Sequence, residues 1–162
     1  MNRLRQTGTT IVEFAIVAAV LFMMIFGVIE VARGYFVYSA LEEVTRRGSR
    51  LAAVCPVGDP GIAQLAVFNA SGSTSESQLV RGLQPGHVVI DYLDGNGAVV
   101  VAPTELANFV RIRFVRARIV GYEHAVNVPF VAGLTGIVMP EFASILPRES
   151  LGVPREGAIT PC

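Results

Sequence analysis

The chain has no tryptophan and no lysine, only two histidines and only two cysteines in 162 residues. Its 13 basic residues, all arginine, are balanced by 13 acids, so the formal net charge is zero. No segment carries the excess of positive charge that general nucleic-acid binding requires, and nucleic acid is excluded as a partner. Two cysteines are too few for a disulfide-framework mini-protein, and neither Cys55 nor Cys162 stands at metal-ligand spacing. His87 and His124 belong to no HExxH-type motif, and there is no GxSxG, phosphate loop or Cys/His nucleophile pair. Asp91 and Asp94 flank a turn, where capping and hairpin roles are the usual ones. No nucleophile, base and orienting group come together, so the expectation is a protein that is not an enzyme and needs neither cofactor nor metal.

Proline is also missing from everything before Pro56. What fills that stretch is apolar. The chain as a whole is 52% hydrophobic with only 16% charged residues, and its mean hydropathy of +0.53 exceeds that of an ordinary soluble domain. Residues 14–29, FAIVAAVLFMMIFGVI, carry no charge. Ile11 and Val12 extend them past one acid, giving a membrane span over about 11–30. Arg3 and Arg5 precede it, and the positive-inside rule keeps that end in the cytoplasm and sends the rest across the membrane. A cleaved secretory signal would need a shorter apolar region and a small-residue cleavage pattern. The nearest site, ending at Ala40, has Tyr38 two positions before it.

With no turn signal between Thr9 and Val54, the pattern predicts one helix over 9–54, about 69 Å long at ~1.5 Å per residue. Beyond the span it becomes amphipathic. Val31, Tyr35, Tyr38, Leu41, Val44, Gly48 and Leu51 form the expected apolar stripe, with Glu43, Arg46, Arg47 and Arg50 opposite.

The rest, 55–162, reads as an exported α+β head. A loop at 55–61 is followed by a short helix over 62–69, then by a small polar loop over 70–77. Residues 88–93 and 98–102 flank Asp94-Gly95-Asn96-Gly97, a strong hairpin signal. A strand over 109–120 follows, in which apolar and arginine positions exchange phase near Phe114/Val115. One β-bulge there would place Arg111, Arg113, Arg116 and Arg118 on one face, opposite cross-strand acids or solvent. Residues 126–138 are apolar and glycine-rich and read as a packed loop, a short helix or a contact with a partner or the membrane surface. A last strand is expected over 142–146. The predicted architecture is a long transmembrane and amphipathic helix packed on a small antiparallel sheet. Cys55 and Cys162 can form one bridge outside the cytoplasm, remain two thiols, or bond to another chain.

Glu13 stands one turn inside the apolar run, at a cost on the order of 1–3 kcal/mol near the bilayer interface. Either it reaches headgroup water or it has a partner. The surrounding residues, Gly8-Thr9-Thr10-Ile11-Val12-Glu13-Phe14, resemble the processing site of type IV prepilins, a basic leader ending in glycine and then a mature chain with glutamate fifth. The VEFA run, Phe26-Gly27 with Glu30, Arg33-Gly34-Tyr35, and Arg47-Gly48 before Leu51-Ala52-Ala53 resemble the N-terminal signature of TadE-like proteins, pseudopilins of tight-adherence (Flp) pilus systems. Residues 146–152, LPRESLG, also resemble such proteins, though composition gives them no mechanism.

This resemblance implies a leader over 1–8 and cleavage between Gly8 and Thr9 by a prepilin peptidase. It implies placement in a bacterial inner membrane and incorporation into a cell-surface pilus. The partners it implies are lipid, the other pilins and pseudopilins of the Flp/Tad system, and their inner-membrane assembly platform. Cleavage would leave an α-amino group at Thr9, mostly cationic at neutral pH, to pair with Glu13 of a neighbouring subunit, with Phe14 beside it. The alternative function is a permanently anchored, unprocessed module whose exported head binds a ligand or an envelope partner.

Overall fold

The computed structural model describes residues 7–126, 136–153 and 162. One helix, α1, runs without interruption from Thr7 to Val54, about 72 Å at ~1.5 Å per residue. Absence of proline permits this, and Pro56 stands just past its end. The head gathers around the second half of α1. It contains α2 (Gly61–Ala66), β1 (Val88–Leu93), the single turn α3 (Leu106–Phe109), β2 (Phe114–Ile119), β3 (Glu123–Ala125), β4 (Gly136–Val138) and β5 (Ala143–Pro147). Strands β1, β2 and β5 form an antiparallel sheet in that order, and β3 and β4 a separate antiparallel pair. The chain is thus α+β, with a long N-terminal helix packed on a small antiparallel sheet.

Strand β2 is central. Val115, Ala117 and Ile119 point inward and are buried, while Arg116 and Arg118 point outward. The sheet approaches α1 closely at Gly48, where an added Cβ would lie 3.1 Å from the Ala117 Cβ. Two small residues facing each other thus let helix and sheet meet. Around this contact lie two apolar clusters. One joins Val37, Leu41 and Val44 of α1 to Val67, Leu83, Ile119, Tyr122 and Phe142. The other joins Ala52 and Cys55 to Ile62, Tyr92, Ile112, Val115 and Leu151. Ser49, fully buried, donates to or accepts from the Ser144 hydroxyl at 3.0 Å and so ties α1 to β5.

The structure corrects three sequence expectations. The stripe facing the head is Val37, Ala40, Leu41, Val44, Thr45, Gly48, Ser49, Ala52 and Ala53, whereas Val31 and Tyr35 are exposed at 75% and 74%. At that level the described part of the head meets the Glu30, Arg33 and Val37 side of α1, and Val31 and Tyr35 stand on the other side. Residues 98–102 form no strand. The Asp94 turn closes as expected, with Asp94 N–H donating to the Ala98 carbonyl at 2.9 Å, but pairing ends after the isolated Leu93–Val99 bridge.

The strand expected over 109–120 starts only at Phe114. Residues before it are the end of α3 and a turn, in which Arg111 and Ile112 N–H groups donate to the Asn108 and Phe109 carbonyls. The β1–β2 register is continuous from Leu93–Phe114 to Val88–Ile119, so there is no bulge at Phe114/Val115, and the four arginines do not share one ladder. Of the 126–138 segment, Gly136–Val138 is strand β4; residues 127–135, like 1–6 of the expected leader, lie outside the described residues.

Candidate functional site

Three regions of α1 differ in what surrounds them. The lowest, residues 9–29, is apolar and bare: Ile11, Phe14, Ile16, Val17, Met24 and Val28 are all at least 59% exposed. It qualifies as a membrane span by length and composition, with none of its most apolar window buried. Glu13 lies exposed on this surface, and between residues 7 and 29 it is the sole charged residue. Gly8 and Thr9 fall in the first turns of the helix, which begins at Thr7. Gly8, Thr9, Glu13 and Phe14 therefore follow one another along a single helix end, remote from the head.

The second region is a collar where head and helix first meet. Arg33 donates through Nε and Nη2 to the two carboxylate oxygens of Glu30, at 3.1 and 2.6 Å, and through Nη2 also to the main-chain carbonyl of Ala125. The Glu30 hydrogen bond, opposed by some desolvation, holds the Arg33 guanidinium above its ordinary value. His124, 4% exposed, places Nε2 at 3.9 Å from Glu30 Oε1. Burial pushes its imidazole below the ordinary value, Arg33 adds to this, and Glu30 opposes it. Its Nε2 has no hydrogen-bond partner. Beside this cluster opens a cavity of about 300 Å³ lined by Arg33, Arg81, Tyr122 and His124 but also by Glu76 and Glu123. Opposite charges are thus mixed around it, and it has no single electrostatic character.

The third region is the far end of α1, where a helix leaves carbonyls without intrahelical partners. Here the 146–152 phrase acquires a mechanism. The Glu149 and Leu151 N–H groups donate to the Ala53 carbonyl, both at 3.1 Å. Gly152 N–H and the Ser150 hydroxyl donate to the Val54 carbonyl, at 2.7 and 3.0 Å. Gly152 has φ +76° and packs so tightly on Pro56 that a Cβ would fall 2.5 Å from the proline Cα. Only glycine fits there. Next to this cap Cys55 and Cys162 are joined by a disulfide with Cα atoms 5.9 Å apart.

The remaining polar residues singled out in the sequence have structural work. Asp94 accepts from the Asn96 and Ala98 N–H groups at 2.8 and 3.0 Å and closes its turn. His87 Nδ1 accepts from the Gln84 N–H at 2.9 Å. Asp91 is no turn residue. It accepts from Arg116 and Arg118 on the outer sheet face, at 2.7 and 2.8 Å. Burial pushes its carboxyl up, but hydrogen bonds and charge from the two arginines prevail and hold it below the usual carboxylate range. Among the described residues no group of His, Cys, Asp and Glu is arranged to hold a metal ion.

A bare apolar segment of α1 carrying one acid, followed by a small α+β head, fits a single-pass membrane anchor. Residues 8–50 match the family described as TadE-like protein. The match opens at Gly8 and runs through Glu13, Glu30, Arg33 and Gly48, ending within α1; the head lies beyond it. No curated protein and no solved structure matches the chain. This likeness, confined to α1, suggests a protein associated with the Tad pilus system.

Proposed function

We propose that this chain is a minor pseudopilin-like subunit of a Flp/tight-adherence pilus, held in the inner membrane with its head exported and cut between Gly8 and Thr9 by a prepilin peptidase. One observation carries the reading: the TadE-like match starts at Gly8 and covers a bare apolar helix on which Glu13 is the sole charge between residues 7 and 29. A carboxylate in an apolar run is stabilised by a cation, and cleavage supplies one in the Thr9 α-amino group. Within one helix that amine lies more than a turn from Glu13. A neighbouring helix, displaced along a common axis, brings the two together, and in a low dielectric the pair sets the register between subunits. Assembly would then cover residues 10–29 with neighbouring helices or lipid. Intact mass of the protein from membranes of its native host tests this. Loss of the first eight residues supports it, and a mature chain retaining Met1 overturns it in favour of a permanent anchor.

A further inference from the structure

The β3–β4 pair stands apart from the main sheet, each of its strands pairing with the other. Its direction along α1 is set by its contacts. Tyr122, just before β3, shares an apolar cluster with Val37. Three residues later the Ala125 carbonyl is taken by Arg33, and His124 faces Glu30. Strand β3 therefore descends the helix from the level of residue 37 to that of residues 30–33, about 10 Å at ~1.5 Å per residue. The membrane span read from the sequence, about 11–30, ends at that level, and Val28 and Ile29 are exposed at 70% and 55%.

Strand β4 returns from that level with Ile137 and Val138 exposed at 54% and 72%. Glu123 and His124 are the only titratable residues on the two strands, and the intervening sequence 126–135, VNVPFVAGLT, has no charge. Ile137 and Val138 thus lie exposed beside the end of the lipid-facing band of α1, and neither strand carries a cationic side chain to seek an anionic partner.

We propose that the β3–β4 hairpin is a second membrane contact, on which the head rests against the lipid surface with Ile137 and Val138 in the headgroup–acyl boundary. Amphipathic or apolar elements held at this depth are stabilised by the area they remove from water, without anionic lipid. Arg33, clamped between Glu30 and Ala125, fixes the hairpin at that height. The proposal requires only that α1 spans the bilayer, and it holds whether or not residues 1–8 are removed.

The absence of tryptophan makes the test direct. The full chain carrying Val138→Trp is reconstituted, dilute, in phosphatidylcholine vesicles whose acyl chains are brominated near the headgroup. Leu106→Trp serves as reference, because Leu106 is 80% exposed on α3, whose Phe109 packs beside Cys55 at the opposite end of the head. The expected result is a blue-shifted emission at position 138, quenched by brominated lipid, with position 106 unquenched. Quenching no greater than at position 106 overturns the proposal. A blue shift without lipid quenching also overturns it, since the occupant is then protein. Ile137→Trp repeats the measurement should Val138→Trp fail to fold.

Discussion

Arg33 donates to the main-chain carbonyl of Ala125, 92 residues further along the chain. With Glu30 gripping the same guanidinium, this is a strut between the helix and the lowest part of the head. Its side chain is 34% exposed, so the loss in Arg33→Ala is held to about 1 kcal/mol. Hydrogen exchange should show the loss locally, as faster exchange in Glu123–Ala125 and Gly136–Val138 with β1 and β2 unchanged. Arg33→Lys should behave like the alanine variant, since an ammonium cannot reproduce the guanidinium fork toward Glu30 and Ala125 together. Uniform acceleration across the head would show that the strut is not local.

At Gly48, Ala117 and Ile90 of the sheet and Ala66 of α2 all lie within 4 Å of an added Cβ. Alanine gains up to ~1 kcal/mol of helix propensity and loses a comparable amount to the 3.1 Å approach, so Gly48→Ala should be nearly neutral. Gly48→Val has no such balance and should cost about 1–3 kcal/mol. Thermal unfolding followed by circular dichroism should drop by about 2–4 °C per kcal/mol lost. Equal midpoints for the valine variant and the parent would mean that the sheet does not pack here.

The disulfide closes a loop with a sequence separation of 107. A crosslink over that distance restricts the unfolded chain, and removing one typically costs about 2–5 kcal/mol. The double variant Cys55→Ser with Cys162→Ser, or reduction of the parent, should lower the denaturation midpoint accordingly. Reductant should leave the double variant unaffected. A parent whose midpoint does not respond to reductant would lack the bridge.

Legibility of the fold in the sequence followed the range of each cause. The long helix, the Asp94 turn and the last strand depend on local chemistry and could be read directly: absence of proline, Asn and Gly at a tight turn, alternation. The segment before Phe114 could not. Val110, Ile112 and Phe114 alternate with arginines, yet only Ile112 is buried, while Val110 is 56% exposed. Periodicity alone does not distinguish a strand from a turn that tucks in one isoleucine. The limit of the buried stripe was hidden for a related reason, because nothing in Val31 or Tyr35 tells which side of the helix the head covers at their level. Residues 149–152 cap α1 from almost a hundred residues away, and a capping role across that distance leaves no local pattern. At the other end, the sequence alone places Gly8, Thr9, Glu13 and Phe14 on one helix, because their arrangement is linear along it.

Acid should unfold the head in two stages. His124 is held below its ordinary value, so the unfolded chain binds its proton more readily; stability is fully present above about pH 6.5 and begins to fall below it. Asp91 is also held below its ordinary value, and its contribution is present above about pH 4 and is lost as pH falls through the folded value. Asp91→Asn should therefore flatten the lower limb of a stability–pH curve and cost about 1.5–3 kcal/mol at neutral pH. His124→Gln should flatten only the upper limb. Parallel curves for parent and Asp91→Asn would remove the arginine clamp as a source of acid sensitivity.

Glu13 makes the sharpest distinction between folding and assembly, because it lies exposed on α1, away from the described residues of the head. Glu13→Ala takes a charge out of an apolar run, which eases membrane insertion by on the order of 1–3 kcal/mol near the interface. It should leave the thermal midpoint of the head unchanged. If the acid pairs with the Thr9 amine of a neighbour, the same variant should insert, be cut after Gly8 and yet fail to enter pili. Glu13→Gln should fail with it, since an amide keeps the shape and hydrogen bonding of the side chain but not its charge. Fractionating membranes and sheared pili, with intact mass read on each, separates the steps. Normal incorporation of both variants would mean that the carboxylate is merely hydrated at the bilayer surface, and subunit register would then have to come from the shape of the apolar helix alone.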